Sequence, residues 1–264
     1  MEKLCAGVSE AVKATGNFIR GERKTFNMSN VEYKGLNDLV SYVDKTAEQQ
    51  LVNAFSELLP SSGFITEENT INTRGAEYNW IIDPLDGTTN FVHGVPCYCI
   101  SVALLQKDKL VLGVVYEVNL DECFYAFENG GAWLNGNRIR VSETEVLQQS
   151  LLATGFPYSD YKRMKPYMEV FDHLMYNTHG LRRLGSAAAD LVYVACGRFE
   201  GFYEYGLNAW DVAGGALIVK EAGGVISDFS GGEDFIFGKE IIATNRKIYN
   251  EFLEVVKSKF TSSQ

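Results

Sequence analysis

A layered α/β fold is predicted by three features of the chain. Apolar residues recur at helical spacing through about the first sixty positions. The spacing changes to that of strands between about residues 80 and 127. After about residue 150, short extended runs alternate with helical ones. Helices, then a meander, then alternating units leave two kinds of surface to bury, and stacked layers bury both.

Leu4, Val8, Ala11, Val12 and Ile19 lay one apolar stripe along a helix over 3–20. A second helix is predicted from about Asn37 to Leu59, with Leu39, Val40, Val43, Ala47, Leu51, Val52, Phe55 and Leu58 apolar and Pro60 ending it. Trp80-Ile81-Ile82 is a short buried strand that Pro84 should stop, because proline donates nothing to a ladder. Cys97–Leu105, Leu110–Tyr116 and Glu122–Phe127 form a meander, with hairpin-type turns at Asn129-Gly130-Gly131 and Asn135-Gly136-Asn137. Further on, Ser150–Thr154, Gly201–Tyr205, Gly224–Ile226 and Ile241–Ala243 are extended, and 163–177, 186–196, 209–222 and 246–259 are helical. A join at Val141–Ser150 divides the chain into an α+β half, 1–145, and an α/β half, 146–264, without the composition of a flexible linker.

Among 264 residues, 24 Lys and Arg face 34 Asp and Glu, a net charge of −10. That balance disfavours nucleic acid as a partner, since phosphate backbones demand clustered cations. A small phosphorylated molecule stays open, because a metal ion can bring the missing charge. No run approaches the roughly 18 apolar residues of a bilayer span, and the first twenty positions carry charges where a secretory signal is apolar. No membrane partner is expected. Cys5, Cys97, Cys99, Cys123 and Cys196 form no C-x-x-C pair and meet only three histidines, which disfavours zinc and points to reduced thiols in the cytoplasm.

The densest chemical signal runs from Trp80 to Phe91. An apolar strand ends in Asp83, Pro84 and Leu85 follow, and Asp86 precedes a helix start at Gly87-Thr88-Thr89-Asn90. Two carboxylates and a strand-end carbonyl suit a hard divalent cation, and the helix start offers N–H groups to a phosphate. A capped turn, with the acids accepting backbone donors, gives the same local pattern. Glu67 and Glu68 end the run Phe64-Ile65-Thr66, where a solvated charge pair is the plainer reading. Asp211 stands at a second strand-to-helix junction, in the place of an ordinary first-turn acid. Three loops that each end an apolar run with an acid favour a shared site.

Asp83-Pro84-Leu85-Asp86-Gly87-Thr88-Thr89-Asn90-Phe91 and Trp210-Asp211-Val212-Ala213-Gly214-Gly215 resemble the two signature motifs of the inositol monophosphatase family of Mg²⁺-dependent phosphatases. The resemblance extends to 38–44, 63–68, 184–188, 203–206 and 221–224, in order along nearly the whole chain. It implies an α/β/α/β/α sandwich, a homodimer, lithium sensitivity, and two to three Mg²⁺ per site. By the resemblance, Glu67, Asp83 and the Leu85 carbonyl hold one metal. Asp83, Asp86 and Asp211 hold a second, and Glu67 assists a looser third. Thr88, polarised by Asp44, orients the attacking water, so Asp44, Glu67 and Thr88 form the implied catalytic set. Gly87 and Thr88 hold the phosphate. Gly185, Ser186, Ala187 and Glu204 meet the alcohol portion, and Asp211 borders it. Three positions depart from the pattern: Thr66 where Gly usually precedes the acid pair, Ser186 where Thr is frequent, and Lys34 one residue out of register.

The expected reaction is hydrolysis of a small phosphorylated polyol by a metal-activated water, with inositol 1-phosphate first. Fructose 1,6-bisphosphate, histidinol phosphate and 3′-phosphoadenosine 5′-phosphate serve relatives, and Arg182 and Arg183 keep a bisphosphate open. Asp83 and Asp86 are three apart, unlike the Asp-x-Asp-x-Thr of aspartyl-phosphate enzymes, and no cysteine has Arg six residues later. A non-catalytic relic that only binds metal or ligand would require loss of an acid or of Thr88, and none is missing.

Overall fold

The computed structural model describes residues 1–27, 31–35, 38–71, 73–157 and 160–261. Helix α1 (Glu2–Arg23) buries Cys5, Val8, Val12 and Ile19 along one stripe. Strands β1 (Val31–Gly35) and β2 (Asp38–Ser41) form an antiparallel ribbon, and α2 (Tyr42–Leu58) follows at once. The helix expected from about Asn37 therefore starts five residues later. Ser41 is extended, and its hydroxyl accepts the Val43 N–H at 3.1 Å, a cap that sets the boundary. Lys34 falls on β1, but its side chain and those of 38–40 lie outside what is described.

A seven-stranded sheet comes next, in the order β3 (Gly63–Thr66), β4 (Tyr78–Asp86), β5 (Cys99–Gln106), β6 (Lys109–Glu117), β7 (Glu122–Phe127), β8 (Ala132–Leu134), β9 (Asn137–Ile139). β3 and β4 are parallel, and every other neighbouring pair is antiparallel. β4 does not stop at Pro84. Its register against β5 shifts between Asp83 and Asp86, so a bulge absorbs the proline and pairing resumes at Asp86–Cys99. The short helix α3 (Thr88–His93) follows directly.

The five-stranded sheet has the order β11-β10-β12-β14-β13, from β10 (Leu151–Thr154), β11 (Gly180–Arg182), β12 (Gly201–Tyr205), β13 (Val225–Ser227) and β14 (Glu240–Thr244). Its helices are α4 (Met164–Asn177), α5 (Ala187–Ala195), α6 (Ala209–Glu221) and α7 (Tyr249–Thr261). The three buried clusters give the layering. Trp80, Ile82, Val102 and Leu104 pack with Val12, Leu51 and Phe55 of α1 and α2. Their strand neighbours Ile81, Ala103 and Leu105 face α5 and α6. The outer side of the second sheet packs Tyr203 and Ile242 with Tyr167 of α4 and Phe252 of α7. The result is helix, sheet, helix, sheet, helix. With both faces of the large sheet covered at its centre, β5 and β6 are buried along nearly their whole length and do not alternate.

One close approach positions the site. A Cβ on Gly113 of β6 would sit 2.5 Å from the Gly214 carbonyl, so a glycine pair lets α6 lie directly on the sheet. Ser101 donates to the Trp210 carbonyl at 3.0 Å and ties the helix start to β5. Among the described residues, no helix is long and apolar enough to cross a membrane.

Candidate active site

Gly87 turns the chain from β4 into α3 with φ +96°, a left-handed conformation that L side chains adopt at a cost. A Cβ there would also meet the Cys97 carbonyl at 3.0 Å. Thr88, the next residue, puts its hydroxyl 2.9 Å from Asp44 Oδ1 and 3.0 Å from the Leu85 carbonyl. Asp44 is wholly buried in the first turn of α2, where Oδ2 accepts the Ser41 N–H at 2.9 Å and the Ser41 hydroxyl at 2.7 Å. Burial raises its carboxyl, and these three donors partly offset the rise. The two residues paired from sequence are hydrogen-bonded partners.

The acids of three separate loops converge beside them. Glu67 leaves β3 with its N–H on the Ile82 carbonyl at 3.2 Å, one rung beyond the parallel pairing. That places it alongside Asp83, whose carboxyl hydrogen-bonds those of Glu67 and Asp211. Burial and then the charges of Glu67, Asp86 and Asp211 push Asp83 well above the usual carboxylate range. Asp86 is raised to about 6, mainly by burial, against donation from Ser186 (2.6 Å) and the Ala188 N–H (2.6 Å). Asp211 is raised to about 7 by burial and by Asp86. The capping role expected as a rival also holds: Asp211 Oδ2 accepts the Asn208 N–H at 2.6 Å, and Asp83 Oδ1 accepts that of Leu85 at 2.9 Å. Asp83 and Asp211 each spend one oxygen on their own turn, and their charges still bear on one another and on Asp86.

The far wall comes from the second half of the chain. Gly185 has φ +92°, and Ser186 caps α5 by accepting the Ala189 N–H at 3.2 Å while donating to Asp86. Ala187 is next, and its N–H also reaches Asp86. Glu204 is buried on β12, raised chiefly by desolvation and then by Asp211, with Arg183 opposing. Every residue predicted for the site from sequence is thus in one neighbourhood.

Two acids escaped the sequence reading. Glu48 is wholly buried on α2 and holds the loop after Glu67 by three hydrogen bonds. Its signal was present, an acid four residues after Asp44 on the apolar stripe. Asp190 lies buried in α5 near Glu204, Asp86 and Arg183, and among the described residues its Oδ1 has no hydrogen bond. An acid in the run Ala187–Ala195 was the clue to it. Asn90 was inside the motif, but only the fold shows its amide bridging the Cys97 (2.7 Å) and Leu184 (2.8 Å) carbonyls, which joins the two walls.

Carboxyls at hydrogen-bond distance need a proton or a cation between them. An all-oxygen set of four acids plus the Leu85 carbonyl suits a hard divalent ion such as Mg²⁺, and buried charge of one sign supplies the attraction. Among the described residues, no three of these side chains stand close enough together to hold one ion as they are placed. By donor chemistry the set fits such an ion, with Glu67, Asp83, Asp86, Asp211 and the Leu85 carbonyl the groups that would hold it.

Known proteins resemble this chain over nearly its whole length. Nus factor SuhB of Pseudomonas aeruginosa is 40% identical over 252 residues, 94% of this chain and 93% of that one. Inositol-1-monophosphatase of Mesorhizobium japonicum is 38% identical over 251 residues, 95% and 94% of the two chains. The crystal structure of extragenic suppressor protein suhB from Bartonella henselae superposes with a TM-score of 0.90 at 38% identity, covering 96% of this chain and 97% of that one. A profile of the inositol monophosphatase family matches residues 1–259. Motifs, layering and these likenesses agree, and the chain belongs to the inositol monophosphatase family.

Proposed function

We propose that the chain is a Mg²⁺-dependent phosphomonoesterase acting on a small phosphorylated polyol, with inositol 1-phosphate the first substrate to test. The observation that carries this reading is the Thr88–Asp44 hydrogen bond beside the cluster of Glu67, Asp83, Asp86 and Asp211. Asp44 is buried and already accepts from Ser41, so it stays an acceptor toward Thr88. With its proton directed to Asp44, the Thr88 hydroxyl presents a lone pair to the attacking water and takes a hydrogen bond from it. Bound divalent ions supply a lowered water pKa and neutralise phosphoryl charge. Gly87 and Thr88 present N–H groups to the phosphate. Ser186 and the Ala187 N–H hold Asp86 in place, and Glu204 accepts from hydroxyls of the alcohol. The name of the Mesorhizobium relative supports the substrate. Homodimerisation and inhibition by Li⁺ rest on the family resemblance alone, and a cytoplasmic location on the cysteine pattern of the sequence.

A panel of inositol 1-phosphate, fructose 1,6-bisphosphate, histidinol phosphate and 3′-phosphoadenosine 5′-phosphate, with phosphate release followed with and without Mg²⁺, tests the reading. Turnover should vanish on chelation and return with Mg²⁺, and ¹⁸O from solvent should enter phosphate in one turnover. A trapped phosphoenzyme would overturn the mechanism. The Pseudomonas relative's name favours a second reading, a role as a Nus factor. No turnover on the whole panel, with Mg²⁺ bound, would favour that role.

A further inference from the structure

Asp211 stands in the first turn of α6, and a second concave site lies at the other end of that helix. A cleft of about 370 Å³ opens where the chain after β9 passes the turn that follows β14, over the Ala222–Gly223 end of α6. That volume is at the small end of pockets that hold small molecules, roughly 300–1,000 Å³. Four cations line it: Arg138, Arg140, Arg246 and Lys247. The Arg138 guanidinium lies 5.8 Å over the Trp133 ring. Lys247 pairs with Glu145 at 3.0 Å, and among the described residues Arg138, Arg140 and Arg246 have no ion pair.

The opposing charges in the cleft are weaker. Glu221 spends both carboxylate oxygens on the N–H groups of Asn129 (2.9 Å) and Gly131 (2.8 Å). The Ala222 carbonyl, at the negative end of the helix, accepts the Val141 N–H at 3.2 Å. Glu143 is exposed and offsets one cation. The lining keeps a positive excess in a chain of net charge −10. Arginine forks match phosphate oxygens two at a time, and cations on both walls suit a ligand with more than one phosphate.

We propose that this cleft is a second anion site, separate from the acid cluster, that takes a small molecule bearing two or more phosphate groups. Nothing in the proposed hydrolysis uses these residues, so the site stands or falls independently of that reading.

Pyrophosphate is the probe, titrated calorimetrically into the full chain in EDTA, where the acid cluster repels anions. One site per chain is expected, weakening as salt is raised. The exposed pair Arg140→Ala and Arg246→Ala should keep the wild-type melting temperature and weaken binding about tenfold or more. Asp86→Asn, at the end of β4 in the acid cluster, should bind like wild type. If the double variant melts early, Arg246→Glu alone repeats the test by charge reversal. No binding by wild type, equal binding by the charge-removed chains, or loss in Asp86→Asn instead would each overturn the site.

Discussion

Glu48 Oε1 accepts both the backbone N–H of Thr70, at 2.8 Å, and its hydroxyl, at 2.7 Å. Oε2 takes the Glu68 N–H at 2.8 Å, so one buried carboxylate on α2 holds the loop that follows Glu67. An amide at this position keeps one acceptor oxygen and turns an NH₂ toward an N–H. Glu48→Gln should therefore cost roughly 1–3 kcal/mol of stability. It should also raise the Mg²⁺ concentration needed for half-maximal turnover, since Glu67 is held less firmly. Thermal melts and a Mg²⁺ titration of phosphate release check both. Wild-type behaviour in both would show that other contacts hold the loop.

Asp44 and Thr88 should act as one unit. Asp44→Asn or Thr88→Ala should lower kcat by roughly 10²–10⁴, the usual worth of positioned proton-handling groups, with a smaller change in KM. The double variant should be little worse than the worse single one. Losses that multiply would assign the two residues separate tasks, despite the 2.9 Å bond.

Acid titration should run opposite to that of a salt-bridged carboxylate. Burial raises Asp86 from 3.8 to about 6 and Asp211 from 3.8 to about 7. Between the ordinary and the raised values, the folded chain binds more protons than the unfolded one, so stability falls as pH rises. The contribution is complete below the ordinary value and gone above about 7 for Asp211. In EDTA, the melting temperature should therefore drop from about pH 5 to about pH 7. Mg²⁺ should lift the neutral end most, because ligands must lose their protons to bind. Melts across that range, with and without Mg²⁺, decide it. A metal-free chain that gains stability over the same range sinks the prediction.

Asp211→Asn separates the two roles that this residue combines. The amide oxygen can still accept the Asn208 N–H, so the cap survives. One charge leaves the cluster, and repulsion between unit charges about 4 Å apart runs from roughly 1 kcal/mol in water to roughly 4 at an effective dielectric near 20. The metal-free variant should melt at or above the wild-type temperature. Wild type should gain about 2.7 kcal/mol from Mg²⁺ at a hundredfold excess over Kd, the variant less, and turnover should be mostly lost. A variant with the full Mg²⁺ shift and normal turnover removes Asp211 from the metal site.

What the sequence determined by itself is local. The stripe on α1, the meander over β5–β7 and the α/β alternation of the second half all follow from spacing, because each periodicity buries one face of one element. The motif around Asp83 and Asp86 was legible for the same reason, since its acids lie within four residues of chain. Tertiary structure decided the rest. Asp38–Ser41 has the apolar texture of the helix after it and is a strand only because Val31–Gly35 pairs with it. β4 passes Pro84 because its partner β5 accommodates a bulge. Glu67 and Asp211 meet Asp83 because β3 pairs beside β4 and because Gly113 and Gly214 let α6 settle on the sheet. Glu48 and Asp190 look like misplaced acids in apolar helices until the loop and the site they face are in position. Periodicity records which face of an element is buried, but not what covers it, and a site assembled from distant elements depends on the covering.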